Sequence, residues 1–143
     1  MLVEARDAIV THIEQTLASE RPGLSVYYDN QPWDVNNLPE EFVHIEVNFD
    51  DGYQANIAQN PRTRLHGEVV VAVHTRLGRG SRTALSTLDW FISKLSYASI
   101  GGAHVQVQAP RPVNPKPSRE WFTQRTIFPF FLTARQAPGF SPG

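Results

Sequence analysis

The chain has no cysteine among its 143 residues, which removes disulfides and thiolate metal sites from consideration. It has no run of 18 or more apolar residues, the length a membrane-crossing helix needs. Its first turns carry Glu4, Arg6, Asp7 and Glu14 where a secretory signal requires an uncharged apolar centre. Neither sign of charge dominates: 13 Lys and Arg stand against 14 Asp and Glu, a balance that argues against a general binder of nucleic acid or membrane surface. Internal repeats are missing as well. We therefore expect a soluble protein made and used in a cytoplasm, with one domain over residues 1–135 and a Pro/Gly-rich flexible tail over 136–143.

What is present centres on residues 64–95. Leu65, Val69, Val71 and Val73 recur at even spacing, the period that puts strand side chains on one face. A Gly-rich turn follows, and then Ala84, Leu85, Leu88, Phe91, Ile92 and Leu95 form one stripe of a helix. Residues 2–19 read as a second amphipathic helix, striped by Leu2, Ala5, Ile9, Ile13 and Leu17 and stopped at Pro22 and Gly23. Short strands are expected at 24–28 and 42–49, the latter with Val43, Ile45, Val47 and Phe49 inward and Phe42, His44, Glu46 and Asn48 on a wet face. Residues 50–62 are polar without a period, a long arm or loop. Gly101 and Gly102 are expected to close the second helix, followed by a strand at 104–108, a stiff Pro-rich connector through Pro110, Pro112, Pro115 and Pro117, and a Phe-rich strand over 120–133. Pro129 should place that last strand's end at an edge or bulge. The order implies an α+β fold: a two-layer sandwich, its sheet mostly antiparallel, with both helices on one face.

The other sheet face then needs a reason for what it displays. Parity puts His44, Glu46, His66, Glu68 and His74 there. Imidazole and carboxylate suit Zn or Mn, but two His-x-Glu pairs without a further ligand at fixed spacing read better as a solvated or partner-facing surface. The turn before the second helix holds Leu77, Gly78, Arg79, Gly80, Ser81 and Arg82; Ser81 suits an N-cap, but the Lys of a phosphate-binding loop is missing. Arg76, Arg79 and Arg82 sit near the positive end of that helix dipole, where cations are disfavoured, and are expected to meet acidic groups of another protein or DNA phosphates. No Gly-x-Ser-x-Gly elbow occurs, no histidine has an identifiable orienting partner, and paired carboxylates occur only as Glu40/Glu41 and Asp50/Asp51. No catalytic residue, cofactor site or metal site is assigned.

Beyond single motifs, the pattern as a whole resembles a family. An N-terminal helix, then Val26-Tyr27-Tyr28-Asp29-Asn30-Gln31-Pro32-Trp33, then Pro39 before a strand with Val43, His44, Ile45 and Val47 is similar to the tail terminator-like proteins of long-tailed bacteriophages. Arg64-Leu65-His66-Gly67-Glu68 opening an apolar strand, Arg79-Gly80 before the second helix and a Phe-rich last strand continue the likeness over about residues 2–133. The resemblance implies a virion structural protein and not an enzyme. Such proteins form a ring, usually of six copies, on the completed tail tube, stop its polymerisation and join it to head-completion or neck proteins, with DNA passing through the lumen. It implies as partners the chain itself, the tail tube protein and a neck connector, and as location the virion tail or neck after assembly in the host cytoplasm. Expected ring contacts are Trp33, Tyr53, Arg62, Arg64, Arg76, Arg79 and Arg82; His44, Glu46, His66, Glu68 and His74 would face the channel or a partner. The alternatives are another neck or tail component, a head-closure or tube protein, or an enzyme holding a metal through His44 and His66.

Overall fold

The computed structural model describes residues 2–29, 38–49, 62–77, 81–101, 105–117 and 121–135. Trp33, Tyr53, Arg79, most of the 50–62 arm and the 136–143 tail, all singled out above, lie outside them. In chain order the elements are α1 (Leu2–Glu20), β1 (Ser25–Tyr28), β2 (Glu41–Phe49), β3 (Arg62–Arg76), α2 (Ser81–Leu95), β4 (Ser99–Ile100), β5 (Val105–Val107), β6 (Arg111–Pro117) and β7 (Trp121–Arg135). One sheet runs β1-β2-β3-β7-β5-β4, with β6 also paired to β7. The fold is α+β, a mostly antiparallel sheet with two helices packed on one face.

Strand periodicity explains the core. Val43, Ile45 and Val47 of β2, Leu65, Val69, Val71 and Val73 of β3, and Phe128, Phe130 and Leu132 of β7 are all buried and register with one another across the sheet. Ala5, Ile9, Ile13 and Leu17 of α1 and Ala84, Leu88, Phe91 and Leu95 of α2 close over that same face. Each larger apolar side chain so buried contributes roughly 1.5–3 kcal/mol against the chain entropy lost. Leu2 and Leu85, expected in the stripes, are exposed: Leu2 is the first residue of α1, and Leu85 lies at the margin of the buried arc of α2.

The helices are also tied by polar contacts. Glu20 near the end of α1 meets the Lys94 ammonium at 2.6 Å and accepts a 3.1 Å hydrogen bond from the Trp90 indole. Those two donors hold the Glu20 carboxyl below its ordinary value. Inside the sheet margin, the Thr87 hydroxyl donates to Glu41 at 2.5 Å, linking α2 to β2.

The topology departs from the sequence reading in several places. The first two strands pair in parallel, Ser25 with Phe42 through Tyr28 with Ile45, in a sheet whose other described pairings are antiparallel. The α2 helix stops at Leu95 and not at Gly101: Tyr97, exposed and at φ 58°, takes the left-handed position that usually falls to glycine. The Pro-rich connector is itself a strand, β6, broken by a register shift between Val113 and Lys116. Three prolines cannot donate to a ladder, so the strand is paired only to β7 among the described residues.

Pro129 is not at a sheet edge. On one side it faces Glu68 of β3; on the other, its carbonyl accepts a 2.7 Å hydrogen bond from the Gln108 amide. A residue's N–H and C=O point the same way along a strand, so the missing proline donor faces the place where β7 exchanges β6 for β5 as its neighbour. No ladder bond is lost there.

Gly67 is required by packing. A Cβ at this position would lie 2.4 Å from the Asn48 carbonyl oxygen and 2.6 Å from Cζ of Phe130, whose ring lies against the glycine and meets Phe49 edge-on at 5.7 Å. Gly67→Ala is expected to destabilise the fold by about 1–3 kcal/mol, the range for overpacking. An unchanged urea midpoint would show that the Phe130 ring can move aside freely.

Candidate functional site

The side of the sheet away from the helices is assembled from alternate residues of β2, β3 and β7. Register stacks them in rungs: Phe42, His74 and Thr123; His44, Ala72 and Arg125; Glu46, Val70 and Ile127; Asn48, Glu68 and Pro129; and His66 with Phe131. All five His and Glu residues expected on this face are on it. They are not brought together. His44 sits level with Ala72, six residues from His66 along β3, which is about 20 Å at strand rise. Metal–ligand distances near 2 Å forbid one ion from bridging that span. Among the described residues no three His, Asp or Glu side chains gather to hold an ion.

Nor is this face uniformly wet. Phe42 is 2% exposed on it, and Val70 and Ala72 are buried as well. Phe42 belongs to an aromatic cluster at one end. The Phe42 ring stacks on His74 at 4.6 Å and receives Trp121 and Tyr27 edge-on at 4.9 and 5.8 Å. The Arg76 guanidinium lies 4.3 Å from the Trp121 ring centroid, a cation–π contact between cross-strand neighbours. The same side chain approaches Glu40 at 3.6 Å, and its backbone amide donates to the Glu40 carbonyl at 3.2 Å. Arg76, expected from the sequence to meet acidic groups of another protein or DNA phosphates, is held by its own chain on one side and open to solvent on the other. Arg82 is exposed on the first turn of α2. Arg62 and Arg64 pair through their backbones with Arg135 and Thr133, at the opposite end of the β3–β7 ribbon from the aromatic cluster.

Towards that opposite end, Arg111 of β6 reaches Glu68 at 3.6 Å, an exposed pair of little energetic weight. Tyr27, Phe42, Arg125 and Trp121 were not singled out as site residues from sequence. Parity alone places Phe42 and His44 on one face, but only the pairing of β2 with β3 and β3 with β7 shows that Phe42, His74 and Trp121 are neighbours.

The His74 ring nitrogen Nδ1 is 2.8 Å from the Thr123 hydroxyl. Burial brings its imidazole down to about 4, with His44 and Arg125 adding positive-charge repulsion.

No family model and no curated protein matches the chain. Among solved structures, a protein carrying a code in place of a descriptive name superposes with a TM-score of 0.73 at 17% identity, over 92% of this chain and 95% of its own. At that identity the likeness extends to the fold alone.

The position of His74 has a consequence for pH. Between the ordinary histidine value near 6.5 and about 4, the unfolded chain binds a proton that the folded chain excludes. Stability supplied by neutral His74 is thus complete above about pH 6.5 and declines as pH falls towards 4, by at most about 1.4 kcal/mol per pH unit. Denaturation midpoints taken from pH 7.5 to 4.5 should fall more steeply in the parent than in His74→Gln. Parallel curves would remove His74 as the cause.

Proposed function

We propose that this chain is a structural subunit of a phage tail, a tail terminator-like protein. Copies would form a ring that caps the tail tube, stops its polymerisation and joins it to a head-completion or neck protein. The observation that carries the reading is the sheet face without helices, which ends in a half-exposed cluster of Tyr27, Trp121 and Arg76 over buried Phe42. Aromatic residues and arginine are the side chains enriched at protein interfaces. The residue pattern from Val26 to Trp33 and from Arg64 to Glu68, with its likeness to tail terminator-like proteins, supplies the particular role. On this reading the partners are further copies of the chain, the tail tube protein and the neck connector, with DNA traversing the lumen, and the location is the virion.

A closed ring requires heterologous contacts, one patch meeting a different patch on the next copy. Negative-stain electron microscopy of the purified protein, alone and mixed with tails, tests the proposal. Rings of one diameter, seated at one tail end, are expected. Long tubes would indicate a tube protein, and particles that neither ring nor bind tails would refute the proposal.

A further inference from the structure

On the open sheet face Arg76 is held by Glu40 and Trp121, and Arg111 is paired with Glu68. Arg125, half-buried in the middle of that face, has no ion pair or side-chain hydrogen bond with any described residue. Its neighbours on the same rung, Ala72 and His44, offer it no carboxylate. The nearest described acidic residue on the face, Glu46, is two residues along and two strands across, about 12 Å between backbones. Inside the molecule the Arg125 charge meets repulsion instead, from His74. A partly desolvated cation gains most from a counter-charge brought against it.

The chain carries a matching surface on its other side. Val3, Asp7, Thr11, Glu14 and Ala18 recur at steps of four, four, three and four, so they share one line of α1. All five are exposed, turned away from the buried stripe. That line holds two carboxylates and no cation. Arg6, the only Lys or Arg within α1, is bound by Asp29 at 3.0 Å and reaches Asp7 only at 3.9 Å. Asp7 and Glu14 are two turns apart, about 10.5 Å along the helix. Arg76 and Arg125 are four residues along the ribbon and one strand across, about 14 Å between backbones, a difference that long arginine side chains cover. Beside Asp7 lies the concavity between α1 and β4, about 410 Å³ and mainly apolar, with Ala8 and Ile100 in its lining. Trp121, level with Arg76 across the ladder, is the kind of side chain such a seat suits.

We infer that the outer line of α1 in one copy docks on the open sheet face of the next, Glu14 against Arg125 and Asp7 against Arg76, with Trp121 seated in the concavity between α1 and β4. Helix α1 and the open face lie on opposite sides of the sheet, so the contact is head-to-tail and each copy keeps its other surface for a further neighbour. The contact rests on the reading of this face as a ring interface and supplies the patch that meets it.

Sedimentation velocity is run on the full-length parent, Arg125→Glu, Glu14→Arg, an equimolar mixture of the two, and the double variant; circular dichroism verifies each fold. The parent is expected to self-associate, and less so at high salt. Each single reversal should weaken association about tenfold or more, the scale of one opposed charge pair. The mixture should recover it, because each altered patch then meets its reversed counterpart on the other variant, and the double variant should recover it for the same reason. Misfolding could not be rescued in this way. A parent that stays monomeric, reversals without effect, or losses that neither the mixture nor the double variant recovers overturn the inference. Rings that persist in Arg125→Glu under the electron microscope would overturn it and leave the ring reading standing. Rescued association that builds open chains and no rings would sustain it and remove the ring reading instead.

Discussion

The pairing of β3 with β7 is the constraint on which the rest of the molecule depends. It runs from Arg62 opposite Arg135 to Arg76 opposite Trp121 without a register shift. Side chains alternate strictly along a strand, so one unbroken ladder decides the facing of every residue in both, and a slip of one residue would invert them all. Leu65, Val69, Val71, Val73, Phe128, Phe130 and Leu132 go under the helices by that single choice. The same choice sends His74, Arg76, Trp121 and Arg125 to the other side. Core and interaction surface are two consequences of one register.

Long pairing makes local demands. Phe130 lies across from Gly67, and its ring occupies the space where any other residue would place a Cβ. Pro129 is accommodated one residue earlier because its missing donor points to the junction between β6 and β5. A phenylalanine-rich strand with a proline near its end reads as an edge on composition; in the fold it is interior, flanked on both sides.

Much of this was legible from residue order. The two helical stripes, the inward sets of β2 and β3 and the two-layer arrangement follow from periods of 3.6 and 2, which are local properties of the backbone. The parallel pairing of β1 with β2, the strand character of the 111–117 segment and the left-handed Tyr97 were not legible. Each depends on which distant segment lies alongside: β6 exists as a strand because β7 offers it an edge, and prolines by themselves would have left it an unpaired extended link. The candidate surface divides in the same way. Parity identified His44, Glu46, His66, Glu68 and His74 as sharing a face, but their separation along it, and the enclosure of Phe42 by Tyr27, His74 and Trp121, come from cross-strand register.

By itself the sequence determined the element types, the buried stripes, the α+β layering and which residues share a side of the sheet, because side-chain direction repeats with backbone period and needs no partner to be read. Tertiary structure alone decided that Arg76 is held by Trp121 and Glu40 and that no ion can join His44 to His66. Those are distances between segments far apart in the chain, and distance between strands is set by the ladder that joins them.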